Sequence, residues 1–176
     1  MRDISERELV AVTGERVRVP YPDALVHLQF RRFAGCPICN LHLRSIVRQH
    51  DEITAAGIRE VVFFHSPAAE LRDYDLPFAV IADPGKRYYR EFGVESSRRA
   101  LLRPQVWGAI LRGTALTLLG EYRPPTVRQE GGRLGLPADF LIAPDGRVLA
   151  AKHGTHANDQ WSVEELLSHA RAAAIR

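Results

Sequence analysis

The sequence predicts an α/β domain with a central mixed sheet flanked by helices. Strand-like apolar runs alternate with helical patterns, and their β-α-β order implies parallel strands joined by a right-handed crossover. Near the C-terminus, two strand-like runs flank the turn signal Pro-Asp-Gly, which adds an antiparallel pair. The chain has 176 residues, 45% of them hydrophobic, which suits one core. We therefore expect a single domain over residues 1–176.

The first half of the chain contains the β-α-β unit. In residues 25–33 apolar and polar side chains alternate, as they do along a strand. Residues 37–56 follow with apolar side chains roughly on one helical face, and Gly57 stands where a C-terminal cap belongs. Residues 58–66 are rich in β-branched and aromatic side chains, which is typical of a fully buried parallel strand.

The second half continues the alternation around one interruption. Residues 76–94 predict a short buried strand followed by a short helix, and residues 138–153 predict the hairpin. Ser162 and Glu165 have the spacing of a capping box, so the last helix is expected to begin there. Residues 95–134 combine helical pieces with a Pro- and Gly-rich stretch, and we interpret them as a helical and loop insertion within the domain.

Composition and charge exclude several classes of function. The net charge is only +3, and the 24 basic residues are scattered among 21 acidic ones, so no nucleic-acid partner is expected. The charged N-terminal stretch has no apolar leader, which favours a cytoplasmic location. The most apolar later stretch is interrupted by Arg112 and is too short to span a bilayer, so no membrane partner is expected either.

Both cysteines of the chain lie in the segment Cys36-Pro37-Ile38-Cys39. With Pro37 at the first helical position, Cys36 becomes the N-cap of the predicted helix. Free backbone N–H groups and the helix dipole lower the pKa of a thiol at that position. Cys39 falls in the same first turn, close enough to attack an intermediate formed on Cys36. The spacing therefore predicts a catalytic dithiol with Cys36 as nucleophile and Cys39 as resolving residue, without metal or other cofactor.

Other interpretations of the cysteine pair remain open. The two thiols could simply be buried side by side, or the chain could be a redox-inactive interaction module. A structural zinc site would need two further ligands, for which His153 and His156 are the candidates near each other. Their spacing is shorter than that of a usual paired histidine half-site. A redox dithiol agrees best with the pattern, because such a pair in a reducing compartment is more often catalytic than a structural disulfide.

Three segments carry a resemblance to a known family. They are Phe-Arg-Arg-Phe-Ala-Gly-Cys-Pro-Ile-Cys-Asn at 30–40, the strand and helix at 76–94, and the hairpin region at 136–159. With them the chain resembles thioredoxin-fold proteins, and more closely the peroxiredoxin-like branch of the alkyl hydroperoxide reductase and thiol-specific antioxidant superfamily. The resemblance spans most of the chain from residue 25 to about residue 160.

This resemblance implies several properties. The fold would be thioredoxin-like, with the peroxiredoxin-type inserted strand and helix. The activity would be antioxidant reduction of disulfides or peroxides, with the dithiol restored by an external thiol reductant, either a thioredoxin-like protein or glutathione. Inserted helices in this superfamily often cover the site or form a dimer surface, so the apolar residues around Trp107 allow a homodimer as well as packing within the monomer.

The chain also departs from the peroxiredoxin motif. Gln29 and Phe33 stand where that family has the proline and threonine of its peroxide pocket, and Pro137 stands where it has an arginine. Thioredoxins and glutaredoxins have a cis-proline there, so the resemblance implies a cis bond before Pro137 and a substrate-binding role for it. The Pro37-Ile38 dipeptide is similar to that of glutaredoxins. Disulfide exchange is therefore the better expectation than fast peroxide reduction.

Two arginines precede the cysteine loop. Either Arg31 or Arg32 could lower the pKa of the thiol or hold an anionic substrate group such as a glutathione carboxylate, although both could be plain surface residues. We place Arg32 in the predicted substrate-binding set together with Pro37 and Pro137.

The roles of five further polar residues stay open. His65, with Ser66 after it, follows a strand end where ligands often bind, but a turn or capping role is the better expectation. Asp139 could accept a proton if it is buried, or could face solvent on alternation. His153, His156 and Asp159 could shuttle protons or only form loop hydrogen bonds.

Overall fold

A computed structural model describes residues 3–94, 104–120, 124–125, 132 and 134–174 of the chain. The strands are β1 (Arg7–Val10), β2 (Arg16–Val19), β3 (Leu25–Phe30), β4 (Ile58–Phe64), β5 (Ala79–Ala82), β6 (Ala138–Ile142) and β7 (Val148–His153). The helices are α1 (Pro37–Arg48), α2 (His50–Ala55), α3 (Ala68–Leu71), α4 (Arg87–Glu91), α5 (Pro104–Leu118) and α6 (Val163–Ala174).

The main sheet has five strands in the order β5-β4-β3-β6-β7. Strands β3, β4 and β5 are parallel, whereas β6 is antiparallel to β3 and β7 is antiparallel to β6. The predicted mixed sheet, the β-α-β unit, the inserted strand and helix and the closing hairpin are all confirmed. Strands β3 and β4 end side by side, so the segments that follow them reach the same edge of the sheet.

Alternation along β3 separates two sides of the central strand. Val26, Leu28 and Phe30 belong to a fully buried core that includes Leu9 and Val19. Full burial of an aliphatic or phenyl side chain contributes about 1.5–3 kcal/mol to stability, so these residues fix the register of β3. Leu9 and Val19 come from the two-stranded hairpin β1-β2, which covers this core and which the sequence analysis did not predict.

The helices predicted at the end of the chain and after β5 are found where expected, the helix after the cysteine loop is divided in two, and α3 was not predicted. The capping box of α6 is confirmed: Glu165 N–H donates to Ser162 Oγ at 3.1 Å, and Ser162 N–H donates to a Glu165 carboxylate oxygen at 2.7 Å. The single helix expected over residues 37–56 is instead two helices, α1 and α2. They are separated at Gln49, whose N–H donates to the carbonyl three residues back instead of four. This tighter turn redirects the chain.

Helix α5 occupies the middle of the predicted 95–134 insertion. Residues 95–103, 121–123, 126–131 and 133 lie outside the described residues, so the bounds of the insertion stay a prediction. Across the described ranges, no helix has the length and apolar character needed to cross a membrane. Side chains of α5 pack against α1 in a core that contains both cysteines.

Candidate active site

Cys36 caps the N-terminus of α1, as the sequence predicts. Its backbone is extended, with φ −60° and ψ 116°, and Pro37 is the first helical residue. The Cys39 N–H donates to Cys36 Sγ at 3.5 Å, and the Asn40 N–H donates to the Cys36 carbonyl at 3.0 Å. These contacts place the sulfur of Cys36 where backbone donors at the start of the helix converge.

Groups from beyond β4 hold the loop before Cys36. The Gly35 N–H donates to the Tyr74 hydroxyl at 2.6 Å, and that hydroxyl donates to Asn40 Oδ1 at 3.1 Å. The Ala34 N–H donates to Ser66 Oγ at 3.0 Å, so this serine holds the cysteine loop across 32 residues, and the turn or capping role expected for it stays a prediction. The sequence analysis missed Tyr74 because it lies 39 residues from its partner Gly35, with no local pattern linking the two.

The environment of Cys36 favours the thiolate. Burial raises the pKa of this thiol, but several groups act in the opposite direction. They are the hydrogen bond from the Cys39 thiol, the positive charge of Arg32, and the backbone N–H groups of Cys39 and Ile38, which together lower the pKa to about 7. The Nη1 of Arg32 lies 3.7 Å from Cys36 Sγ. Of the two arginines before the loop, Arg32 is therefore the one that contacts the thiol.

Cys39 is kept in the opposite protonation state. Burial raises its pKa, and the hydrogen bond and negative charge of Cys36 raise it further, to well above the ordinary value. Both cysteines are free thiols in this structure. Above a pH of about 7 the ionised form of Cys36 predominates, while Cys39 stays protonated and donates to it, which is the starting state that attack by Cys36 requires.

Arg31 points into a buried polar network beneath α1 and α6. Its Nη2 lies 2.7 Å from an Asp139 carboxylate oxygen, 2.7 Å from Gln29 Oε1 and 2.9 Å from His42 Nε2. The other carboxylate oxygen of Asp139 accepts from the Trp161 N–H at 3.1 Å. Asp139 is fully buried, so the solvent-facing alternative is wrong, because both faces of the central strands are covered by other elements.

His27 completes this network as a bridge between two carboxylates. Its Nδ1 lies 2.8 Å from Glu60 Oε2, and its Nε2 lies 3.1 Å from Asp139 Oδ1. Burial lowers the pKa of His27, but the charges and hydrogen bonds of Glu60 and Asp139 raise it to about 9. Burial alone would raise the pKa of Asp139, yet Arg31 and His27 hold it below its ordinary value. In this network the cationic side chains of His27 and Arg31 thus face the carboxylates of Glu60 and Asp139.

The peptide bond before Pro137 is not cis, so that prediction is wrong. Within the described ranges the cis bond precedes Pro20 instead. The Pro137 carbonyl accepts from the Gly154 N–H at 2.8 Å, which continues the β6-β7 pairing by one step. This is the ordinary environment of a trans proline at a strand start. Pro137 lines a cavity of about 380 Å³ with residues 93–94 and 153–155, and neither cysteine lines that cavity.

His65 is buried at the end of β4, close to Arg32. Gly135 lies next to both residues, since a Cβ added to it would be 3.0 Å from His65 Nε2 and 3.8 Å from Cγ of Arg32. Burial lowers the pKa of His65 to about 4, and the charges of Lys86 and Arg32 act in the same direction. Neither ring nitrogen of His65 has a hydrogen-bond partner among the residues that the structure places. His65 is therefore a neutral imidazole packed against Phe33, without an assigned role.

The polar residues at and after the end of β7 form hydrogen bonds away from the cysteine pair. His153 Nε2 lies 3.0 Å from the Phe92 carbonyl, Asp159 accepts from Thr155 at 2.8 Å, and His156 accepts from a backbone N–H two residues on. Over the described part of the chain, no group of three or more His, Cys, Asp or Glu side chains could hold a metal ion. The structure does not bring the two histidines to the cysteine pair, so the zinc set is not assembled.

Helix α5 and a short proline segment cover the dithiol. Cys36 is 0% exposed and Cys39 is 1% exposed. A Cβ at Gly113 of α5 would lie 2.6 Å from the Pro37 carbonyl oxygen, which shows how closely the two helices approach. Of the predicted site residues, the structure brings together Cys36, Cys39, Pro37 and Arg32. Trp107, which is 57% exposed, is not part of the cover.

Sequence comparison assigns a family model to most of the chain. Residues 45–156 match the model described as AhpC/TSA antioxidant enzyme. The matched range begins after the cysteine pair and includes α5 and the closing hairpin. No curated protein matches this chain at a significant level.

Solved structures share the fold at low sequence identity. Peroxidoxin BcpB from Mycobacterium tuberculosis is 18% identical with a TM-score of 0.68, covering 97% of this chain and 95% of that one. The Xanthomonas campestris bacterioferritin comigratory protein is 13% identical with a TM-score of 0.65, covering 96% and 92%. A Chlorobium tepidum protein named as thiol:disulfide interchange protein DsbE is 18% identical with a TM-score of 0.58, covering 99% and 96%. These structures establish a peroxiredoxin-like thioredoxin fold.

Proposed function

The chain belongs to the AhpC/TSA antioxidant enzyme family, and on this premise we propose that it is a thiol-dependent oxidoreductase acting through Cys36 and Cys39. The observation that carries the proposal is the geometry at the start of α1, where the Cys39 N–H lies 3.5 Å and Arg32 Nη1 lies 3.7 Å from Cys36 Sγ. In agreement with this geometry, the pKa of Cys36 is lowered to about 7, whereas that of Cys39 is raised well above its ordinary value. In such a pair one sulfur acts as the nucleophilic thiolate, and the other stays protonated until it resolves the intermediate.

The first half of the reaction takes place at Cys36. Its thiolate attacks one sulfur of a substrate disulfide, so that a mixed disulfide forms and the other substrate sulfur leaves as a thiolate. Arg32, 3.7 Å from the nucleophile, is placed to stabilise negative charge that moves from Cys36 to the leaving sulfur. A proton from solvent then converts the released thiolate to a thiol.

The second half takes place at Cys39. Once Cys36 is bonded to substrate, its negative charge no longer raises the pKa of Cys39, which can then lose its proton more easily. The Cys39 thiolate attacks Cys36 Sγ, forms the intramolecular disulfide and releases the second substrate thiol. The substrate has gained two electrons and the enzyme has lost two, which an external thiol reductant returns.

A disulfide is the substrate class that the site favours. Gln29 lies in the buried network and Phe33 in the apolar core around the cysteines, so neither supplies the hydroxyl of a peroxide pocket. Peroxide is the second candidate, because the Arg32 guanidinium could donate to an oxygen bound at Cys36. The solved relatives carry names of both kinds, peroxidoxin and thiol:disulfide interchange protein. The reductant, substrate binding by Pro37 and Pro137, the homodimer and the cytoplasmic location stay predictions.

A trapping experiment tests the assigned roles. Reduced Cys39→Ser protein mixed with oxidised glutathione should accumulate a mixed disulfide on Cys36, because the resolving thiol is missing. The wild type should instead release both glutathione molecules and form the intramolecular disulfide, and Cys36→Ser should form neither product. Intact-mass spectrometry distinguishes the three species. Equal adduct formation on Cys36→Ser and Cys39→Ser would overturn the assignment.

A further inference from the structure

We propose that α5 controls access to Cys36, and that Gly113 is the positioning residue that seats this helix on the dithiol. The inference rests on the proposed function only in taking Cys36 as the reacting thiol. It adds a step that the chemistry itself does not require, since α5 must move away before any substrate reaches the sulfur.

Burial of the nucleophile makes this step necessary. Cys36 has no exposed surface, and Cys39 is 1% exposed. Both belong to one apolar cluster with Val106 of α5, which is itself fully buried. An attacking thiolate needs a substrate atom in line with its sulfur, within about 3–3.5 Å. The closed arrangement leaves no room for that atom.

The contact between α5 and α1 depends on a glycine. A Cβ at Gly113 would lie 2.6 Å from the Pro37 carbonyl oxygen and 2.7 Å from the Pro37 Cβ, so any larger residue would push the helices apart. A second close contact reinforces the cover. A Cβ at Gly35, next to Cys36, would lie 2.6 Å from the Pro125 backbone. Both contacts are made by the residues that flank the nucleophile.

Helix α5 buries few of its side chains for a helix that covers a core. Over residues 106–118, where side chains are described, only Val106 and Gly113 are buried, while Ala109 and Ile110 are partly buried against the same cluster. Gly108 and Gly113 each lower the helix propensity by about 1 kcal/mol relative to alanine. Trp107 and Leu111 on the same helix are exposed. Elements with few buried side chains are those that open locally at low cost.

Two alanine substitutions on the same helix test the proposal. Gly113→Ala and Gly108→Ala add the same methyl group and the same helix propensity, but a Cβ at Gly108 meets no atom within 4 Å. The measured quantity is the rate of Cys36 alkylation by iodoacetamide in the reduced protein, divided by the thiolate fraction of each variant. Gly113→Ala should react roughly tenfold faster than wild type, because overpacking destabilises the closed arrangement. Gly108→Ala should react at the wild-type rate or more slowly.

The outcomes separate this inference from the proposed function. Equal rates for all three proteins, or equal acceleration in both alanine variants, would overturn the role of Gly113 and leave the redox assignment untouched. If Gly113→Ala does not fold, as judged by circular dichroism, Val106→Ala replaces it, since it removes the buried anchor without adding bulk. An alkylation rate of Val106→Ala equal to that of wild type would overturn the control of access by α5. Hydrogen exchange slower in α5 than in β3 would also overturn it.

Discussion

Arg32 is the single charged side chain whose removal should change the nucleophile most. Its Nη1 lies 3.7 Å from Cys36 Sγ, and its charge helps to hold the thiol pKa at about 7. Arg32→Gln should raise the pKa of Cys36 by about 1, since an opposite charge at this distance favours the ionised form. Ultraviolet absorbance of the thiolate against pH measures the change. Arg48→Gln, which removes an exposed arginine of α1, is the matched control and should leave this pKa unchanged.

The Tyr74 hydroxyl should matter for stability and for the conformation of the cysteine loop. Tyr74→Phe leaves the Gly35 N–H and the side-chain oxygen Oδ1 of Asn40 without their partner, which should lower the free energy of unfolding by about 1–3 kcal/mol. Urea unfolding measures the loss. Tyr88→Phe removes a hydroxyl from another half-buried ring and should cost less. A larger loss for Tyr88→Phe than for Tyr74→Phe would contradict this account of the loop.

The part of the site that the sequence could predict is the part that is local along the chain. The positions of Cys36, Pro37 and Cys39 at a helix start follow from capping preferences that act over four residues. The sequence analysis placed Arg32 in the substrate-binding set, but only the structure shows that Arg32 contacts the thiol while Arg31 enters the buried network, because neighbouring residues on an extended segment point to opposite sides. The role of Tyr74 could not be predicted from the sequence, since its contact with the cysteine loop depends on how β4 and the following turn pack.

At the scale of elements, the capping box should account for much of the stability of α6. Ser162→Ala removes the hydroxyl that accepts from the Glu165 N–H and should cost about 1 kcal/mol. Ser168→Ala lies at an exposed position within the same helix and provides the control. Thermal unfolding of both variants gives the comparison. If Ser168→Ala were the more damaging substitution, the box would not stabilise the start of the helix.

The network across β3, β4 and β6 should make stability depend on pH. The folded pKa of His27, about 9, lies above its ordinary value of 6.5. Its contribution is therefore fully present below about 6.5 and is lost as the pH rises through about 9. The contribution of Cys36 to stability depends on pH in the opposite direction. Its folded pKa is depressed, so this contribution is lost as the pH falls through about 7. The pKa values of His42 and His65 are lowered in the folded state, so these two residues change the stability only below pH 6.5.

A double variant separates these effects. In Cys36→Ser protein, the free energy of unfolding should fall as the pH rises from about 6.5 to about 9, because the unfolded state has lost the His27 proton that the folded state keeps up to about pH 9. Adding His27→Gln should remove most of this slope while lowering stability at every pH, since Glu60 and Asp139 lose their bridge. Urea titrations at several pH values measure both. An unchanged slope in the double variant would show that another group titrates there.

Element existence was more predictable than element boundaries. The strands with strong apolar runs and the capping box of α6 were found, because each is encoded by residues close in sequence. The hairpin β1-β2 was missed, because its strands have four residues each and alternate charged with apolar residues only briefly. The buried position of Asp139 was left open, because an acid in an apolar strand is stable there only through distant partners such as Arg31.

At the scale of the whole molecule, the structure combines a thioredoxin-like fold with a dithiol that is buried under α5. The order of strands places the ends of β3 and β4 side by side, where Arg32 and His65 meet. The family resemblance predicted this scaffold correctly. The family resemblance offered cover by an inserted helix as one possibility and a dimer surface as another. Only the structure shows that α5 packs over the dithiol, because a sequence pattern shows which face of a helix is apolar but not which surface that face meets.

The most direct test of the central claim is a stopped-flow measurement of thiol loss. Reduced wild type and Cys36→Ser are mixed separately with oxidised glutathione and with hydrogen peroxide. The account predicts a fast loss of both thiols in the wild type with the disulfide, a slower loss with peroxide, and no fast phase in Cys36→Ser with either oxidant. A fast phase with peroxide alone would make the protein a peroxidase in function. Equal rates for wild type and Cys36→Ser would contradict the dithiol mechanism itself.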